Sequence, residues 1–405
     1  MSYFNHELFD ILIDTLPVQQ SQHLGELIRN DDVAGLINLE VDRTKPITFE
    51  DVFFKELFRK VSDAPLGIDT AKVAVDSFIE VEKQNLATNV KLRQLAVYID
   101  KEPTSELSIL IGRIRRQISK ILGKAPTHIE PNITSGATVD LKRNRTVIES
   151  LVNPSTTFDC VEYLRDMGIV RRDYTKSFYP RSENPSSPFG AIKDDFVHFQ
   201  GAKLDTVPKT AKTDRVIAKE PTLNIAYQGG VGKEISLRLA RFGLWINERS
   251  DMHKELARQG SLTGDLATID LSAASDRITV ELVRLLLPAD WFELLNALRS
   301  KRIEINGQMT ELQMFSSAGN GFTFELETLI FYSIALSCSL KSGIYLSAPH
   351  DISVFGDDII IPVCYFDNFI KISKIFGFIV NMRKSFKDGK FRESCGGDFY
   401  NGINM

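Results

Sequence analysis

No stretch of this chain approaches the ~18 consecutive apolar residues that a membrane-spanning helix requires. The opening residues, Met1 to Asp14, include Asp10 and Asp14 and lack the basic start of a secretory signal peptide. Cysteine is scarce: Cys160, Cys338, Cys364 and Cys395 lie far apart with no C-x-x-C pair. That argues against a disulfide framework, offers no zinc spacing, and suits free thiols in a reducing compartment. The six histidines are as scattered, with no H-x3-H spacing. A surplus of positive charge is missing too; at a formal net charge of −4, any contact with nucleic acid must come from local patches. Internal repeats and low-complexity tracts are absent. What remains is a soluble-type chain of 405 residues, 43% hydrophobic and 25% charged, with room for two or three subdomains.

Against that background one stretch stands out, Val354-Phe355-Gly356-Asp357-Asp358-Ile359-Ile360-Ile361. β-Branched and aromatic residues run into and out of a glycine turn, which predicts a tight β-hairpin. Asp is a poor strand residue, and two adjacent carboxylates repel and raise each other's pKa. A hard divalent cation such as Mg²⁺ relieves that repulsion. The plainer alternative is a type I′ turn in which Gly-Asp supplies only turn chemistry.

Upstream, residues 1–125 read as mostly helical, with Phe4, Leu8, Phe9, Leu12 and Leu16, then Phe53, Phe54, Leu57 and Val61, at helical spacing. Ser108 to Lys124 predicts an amphipathic helix bearing Arg113, Arg115, Arg116, Lys120 and Lys124, either a solvated face or a contact to RNA phosphates. From 126 to 200 turn residues dominate, including Asn153-Pro154 and the run from Ser182 to Gly190, with Arg143, Arg145, Arg165, Arg171 and Arg172 adding charge. Val207 to Pro221 holds Lys209, Lys212, Arg215 and Lys219. Alternation places Arg215, Ile217 and Lys219 on one strand face and Val216 and Ala218 on the other. Such a face suits a triphosphate or an RNA backbone, and equally a basic edge strand. Gln228-Gly-Gly-Val-Gly-Lys-Glu234 is not a P-loop, because Tyr227 holds the first glycine position and Glu234 replaces the Ser or Thr.

Two more stretches carry chemistry. In Ala267-Thr-Ile-Asp270-Leu-Ser-Ala-Ala-Ser-Asp276 an apolar strand ends at Asp270, and a helix is expected from about Ser275. A carboxylate at that strand end is where sheets of α/β type hold ligands; Asp276 reads as an N-cap or a ligand contact. Ser316-Ser317-Ala-Gly319-Asn320-Gly321 is a small-residue loop leading into a helix from about Thr323 to Leu340, offering N–H groups, hydroxyls and an amide to a sugar or phosphate, or only a cap. Further on, Phe366 to Phe376 predicts a helix, Phe378 to Asn381 a strand, and Phe391 to Tyr400 a hairpin turning at Gly396-Gly397. Two-metal phosphoryl transfer needs about three carboxylates and nearby cations. Asp270, Asp357 and Asp358 supply the first if their strands are neighbours. Arg215 and its lysines supply the second, Asp276, Ser317 and Asn320 face a ribose, and Lys384 is a candidate general acid for a pyrophosphate leaving group.

Thr268 to Asp276, Ser316 to Glu327, Phe355-Gly-Asp-Asp-Ile-Ile360 and Phe391-Arg-Glu-Ser-Cys-Gly396 together resemble the catalytic replicase subunit of leviviral single-stranded RNA phages, RNA-dependent RNA polymerases of the Qβ type. Leu66 to Thr70, Val207-Pro-Lys and Lys212-Thr-Asp-Arg215 fit the same pattern, so the resemblance runs over most of the chain. It implies an α+β right-hand polymerase: residues 1–125 as an N-terminal helical region, 126–260 as fingers with a basic NTP motif, and 261–405 as a palm, with the thumb mostly absent. It implies two Mg²⁺ ions (or Mn²⁺) on Asp270, Asp357 and Asp358, with Lys384 as general acid. The NTP would meet Lys209, Lys212, Arg215, Lys219, Asp276, Ser317, Gly319 and Asn320. Ala318 departs from the family pattern, which tends to Met. The resemblance further implies a single-stranded RNA template, NTPs, host elongation factors Tu and Ts, a small-subunit ribosomal protein, no membrane, and the cytoplasm of an infected bacterium. The competing classes are another palm enzyme, such as a reverse transcriptase, and an RNA-binding remnant without catalysis.

Overall fold

The computed structural model describes residues 21–43, 46–60, 66–134, 136–142, 154–169, 196–246, 250–339 and 351–405. The stripe at Phe4–Leu16, Val61, Arg143, Arg145, Arg171, Arg172 and the 182–190 loops lie outside them. The class is α+β, as expected.

The first described part is helical: Ser21–Arg29, Val33–Ile37, Phe49–Arg59, Thr70–Lys101 and Glu106–Leu122. Each start after the first carries its own stop to the unpaired N–H groups. Asp32 accepts from Gly35, Thr48 and Asp51 form a capping box, Asp69 accepts from Lys72, and Ser105 from Ser108. The basic helix begins two residues before its expected Ser108 because Ser105 is its cap. Its Ile111, Ile114, Ile118 and Ile121 enter the main core while Arg115, Arg116 and Lys120 stay exposed.

Four small sheets follow. Strands β1 (Ser155–Thr156) and β2 (Val197–His198) pair in parallel. β3 (Ala202–Thr210) and β4 (Thr213–Lys219) form a hairpin. After the central sheet's first strand, β5 (Leu266–Ile269), come β6 (Arg302–Ile305) and β7 (Gln308–Glu311), which join that hairpin in the order β4-β3-β6-β7. This sheet therefore ties residues on both sides of position 260. β8 (Ser353–Phe355) and β9 (Asp358–Pro362) complete the central sheet in the order β5-β9-β8. Strands β10 (Phe391–Ser394), β11 (Gly397–Tyr400) and β12 (Ile403–Asn404) close the chain.

The central sheet is covered on both faces, which explains why β9 reads as unbroken isoleucine rather than alternating. Ile359 and Ile361 join the main core with the Thr323–Ser337 helix. Ile360 turns to the other side, against Leu256 and Ala257 of the Ser250–Thr263 helix and Phe399 of β11. The glycines of 228–233 lie inside the Thr222–Ala240 helix rather than ahead of one. A Cβ at Gly230 would stand 2.1 Å from the Glu130 carbonyl oxygen, and one at Gly232 2.5 Å from that of Gly321. They serve close approach, not phosphate.

Four local expectations are corrected. The hairpin at Gly356 has a left-handed φ (+63°) at its first loop residue only, the type II′ pattern, so the type I′ alternative is wrong. The last hairpin turns at Cys395-Gly396, both with positive φ, because Ser394 pairs with Gly397. No α-helix starts at Ser275: Ser275–Arg277 is a single 3-10 turn, and the helix begins at Val280 behind Thr279, whose hydroxyl accepts from Leu282. Phe378–Asn381 makes a bridge, Leu271 to Val380, rather than a strand.

Candidate active site

Asp270 is delivered by β5, whose Ala267 and Ile269 are anchored in the core. Its carbonyl accepts the Asn381 N–H at 2.9 Å, its N–H donates to Ser385 Oγ at 3.1 Å, and Asn381 Nδ2 donates to its Oδ2 at 2.9 Å. The adjacent strand brings the pair: Ile269 is opposite Ile359, so Asp358 lies one step beyond that pair, alongside Asp270. The Gly356 N–H donates to Thr328 Oγ1 at 2.9 Å, and the Phe324 ring packs edge-on to Phe355 at 4.9 Å. A Cβ at Gly356 would fall 2.4 Å from that Phe324 ring. Glycine is required there twice over, by φ and by clearance.

Burial, compounded by the Asp357 charge, pushes Asp358 up to about 6, although the Cys395 N–H and thiol donate to its carboxylate. Burial also raises Asp270; Lys384 and Asn381 oppose this, and Asp357 adds to it. The three carboxyls thus sit within electrostatic reach of one another, as expected. They are not a finished cage: among the described residues no three His, Cys, Asp or Glu side chains are grouped to hold a metal ion.

The cations divide. Burial lowers Lys209, with Arg215 and Lys384 beside it, and it faces Asp357 and Asp276. Arg215 also acts on Asp276, which burial and Glu82 push up to about 6. Lys384 lies 3.7 Å from Glu393 and acts on Asp270. Lys212 instead donates to Asn38 Oδ1, and Lys219 pairs with Asp205 across the hairpin. Neither joins the carboxylates. Strand alternation is as expected, with Val216 and Ala218 in the apolar cluster under the sheet.

The 316–321 loop docks on β4. The Ala218 N–H donates to the Ala318 carbonyl at 2.7 Å, and Gly319, at φ +107°, has no room for a Cβ, which would stand 2.4 Å from the Ala218 oxygen. Asn320 Oδ1 accepts from Phe322 N–H, and the Ser317 carbonyl accepts from Thr323 Oγ1, so part of this loop is helix capping. Ser316 Oγ is buried without a partner.

Several supporting residues escaped the sequence reading. Glu82 Oε2 accepts the Gln313 N–H at 2.6 Å and its Oε1 that of Met314 at 3.0 Å. Asn85 donates to the Asp276 carbonyl at 2.7 Å and Asn89 to that of Gln313 at 2.9 Å. One helix thereby stitches the Asp276 turn to Gln313 and Met314, just ahead of the 316–321 loop. The signal was present: three polar residues at helical spacing inside the apolar stripe of Phe78, Val81 and Leu92. Glu327, buried with Oε1 unpartnered, was also missed as a site residue.

A hard divalent cation fits this donor set chemically. Asp270, Asp276, Glu327, Asp357 and Asp358 act on one another electrostatically without being gathered into a cage, and among the described residues none of them forms an ion pair. No described helix is long and apolar enough to cross a membrane.

Comparison with known proteins points the same way. The family described as RNA replicase, beta-chain, matches residues 21–405. The chain is 36% identical over 356 residues to the RNA-directed RNA polymerase subunit beta of Escherichia virus Qbeta, covering 86% of this chain and 57% of that protein. It is 36% identical over 357 residues to the corresponding subunit of Enterobacteria phage SP, covering 86% and 58%. The chain therefore spans somewhat more than half the length of these relatives. The RNA-dependent RNA polymerase of a human picorbirnavirus is a distant structural likeness, with a TM-score of 0.37 and 15% identity, over 78% of this chain and 69% of that one.

Proposed function

The chain belongs to the RNA replicase beta-chain family, and on that premise we propose that it is the catalytic part of an RNA-directed RNA polymerase copying a single-stranded phage RNA from NTPs. The observation that carries this reading is the meeting of Asp270, Asp357 and Asp358 beside Lys209 and Lys384. In this reading β5, β9 and β8 form the palm within 261–405, the β3–β4 hairpin belongs to fingers within 126–260, and 1–125 is the helical region behind them.

Asp270, Asp357 and Asp358 would hold divalent cations, Mg²⁺ or Mn²⁺, which when bound acidify the attacking 3′-hydroxyl and neutralise the triphosphate. The chain's own residues do the rest. The 3′-oxygen forms a bond to the α-phosphorus as the bond to the bridging oxygen of pyrophosphate breaks. Lys209 and Arg215, facing Asp276 and Asp357, steer and neutralise the phosphates. Lys384 gives its proton to the departing pyrophosphate. The Asp276 turn and the 316–321 loop, the first tied through Asn85 and Glu82 to the residues leading into the second, line the ribose side, where a 2′-hydroxyl distinguishes an rNTP. Lys212 and Lys219 act on template phosphates or on the fold, not on the NTP. Host elongation factors Tu and Ts, a small-subunit ribosomal protein and the bacterial cytoplasm belong to this proposal too.

The test is incorporation of labelled GTP on poly(C) with Mg²⁺, with and without added host factors. Template-dependent incorporation, favouring rNTPs over dNTPs and lost in Asp358→Asn, supports the reading. Salt-sensitive RNA binding with no incorporation under any of these conditions overturns it.

A further inference from the structure

Glu327 lies on the Thr323–Ser337 helix, between two residues that build the hairpin turn. Phe324, one turn earlier, packs on Phe355 and walls Gly356. Thr328, the next residue, receives the Gly356 N–H. The helix also lies against the Ser275–Arg277 turn that holds Asp276. Glu327 thereby sits on the stretch of helix that touches both acidic turns. Its side chain is 5% exposed, and Oε1 has no hydrogen-bond partner. A buried carboxyl without a donor is among the costliest groups a fold can retain. Nothing apolar about its neighbours requires a glutamate there; Leu326 and Leu329 on the same helix do the packing.

The groups facing it deepen the problem. Burial raises the Glu327 carboxyl well above the usual carboxylate range, and Asp357, Asp276 and Asp358 each push in the same direction. No described cation pairs with any of these four carboxyls. Lys209 and Arg215 act on Asp276 and are not among the groups acting on Glu327. A buried carboxyl oxygen with no partner, on a helix that touches two acidic turns, is complementary to a hard cation rather than to a side chain.

We propose that Glu327 is an inner ligand of the divalent-cation site, taking an ion between the Gly356-Asp357-Asp358 turn and the Asp276 turn from beneath. The proposal rests on the polymerase reading above and adds a ligand to it. Since the carboxyls are spread in this structure, the ion draws them together, and Glu327 reports binding directly.

The experiment is Mn²⁺ binding followed by electron paramagnetic resonance on the full 405-residue chain, comparing the parent with Glu327→Gln and Asp357→Asn. Glu327→Gln, which keeps size and polarity, is expected to lose one bound Mn²⁺ or to weaken it at least about tenfold, the scale expected for lost ligand support. Asp357→Asn weakens binding as well. An isotherm unchanged by Glu327→Gln but weakened by Asp357→Asn overturns the Glu327 assignment and leaves the polymerase reading standing. No Mn²⁺ binding to the parent chain overturns both. Should Glu327→Gln fail to fold, crystals of the parent soaked in Mn²⁺ decide. An anomalous peak within about 2.5 Å of a Glu327 oxygen supports the assignment, and ions on the aspartates alone refute it.

Discussion

Asp357 occupies the second position of the hairpin loop and raises both of its carboxyl neighbours, Asp270 and Asp358. Replacing it with asparagine keeps the volume and the turn while removing that repulsion. Asp357→Asn is therefore expected to leave the thermal midpoint unchanged or slightly raised. Nucleotide incorporation should fall on the order of a thousandfold, as loss of a metal-binding charge removes ~4 kcal/mol of transition-state stabilisation. Single-turnover incorporation and a melting curve on the same preparation check both halves, and near-normal turnover in the mutant removes Asp357 from the site. Charge alone did not foretell which basic residues matter. Lys209 and Lys212 are three positions apart, yet one faces Asp357 and the other bonds Asn38. Strand alternation separates the faces of β4 but is silent about the irregular register between Pro208 and Thr210, where these lysines diverge.

Among elements, the contact of the 316–321 loop with β4 is a close joint in the site. Gly319→Ala would force a β-carbon against the Ala218 carbonyl and impose φ +107° on a residue with a side chain. A loss of about 2 kcal/mol in stability is expected, with KM for NTP raised more than affinity for template; equal effects on both would place the loop on the RNA path instead. The Ser250–Thr263 helix offers a second, pH-dependent joint. His253 lies between Ser353 Oγ on β8, 2.7 Å from Nε2, and Ser394 Oγ on β10, 3.3 Å from Nδ1. Burial holds it down to about 4, so the folded protein keeps it neutral while the unfolded chain protonates near 6.5. Its stabilising contribution is whole above pH 6.5 and is lost as pH falls towards 4, about 3 kcal/mol across the window. Urea midpoints at pH 7.5, 6 and 5 should show His253→Gln behind the parent at the highest pH and converging with it on acidification; a constant gap would mean the imidazole is not titrating against the fold. Hairpins and most helices were legible because period and turn chemistry are local signals, while the meeting of β5 with β9, some ninety residues apart, stood only as a condition. Of the polar row Glu82, Asn85 and Asn89 only the helical spacing was legible, since its partners lie some two hundred residues away in the chain. The sequence could reject a P-loop at the glycines of the Thr222–Ala240 helix but not show their purpose, for the same reason: it is a backbone that approaches from elsewhere.

At the scale of the whole molecule, the N-terminal helices form their own small core, around Leu24, Ile28, Leu36, Phe54 and Phe58, separate from the main one. They grip the rest at two points. Ala211, at the tip of the β3–β4 hairpin, is part of that core and donates its N–H to the Arg59 carbonyl at 3.1 Å. At the other point Arg43 lies over the rings of Phe386 (4.9 Å) and Phe391 (4.5 Å) and bonds Glu393 at 3.1 Å. Lys209 belongs to that hairpin, and Lys384 shares Glu393 with Arg43. The N-terminal helices thus strap together the two elements that carry the cations of the site. Arg43→Ala removes two cation–π contacts and a partly buried charged hydrogen bond, expected to cost about 2 kcal/mol. The cost should be local. Hydrogen exchange is expected to quicken across residues 21–60 while the Thr323–Ser337 helix, deep in the main core, keeps its protection. Incorporation should fall through KM for NTP, because Lys209 and Lys384 lose their common support while Asp270, Asp357 and Asp358 do not. Unchanged exchange in 21–60 would mean that the hairpin tip alone holds the helices, and Arg43 would then be a passenger on β10 rather than its strap.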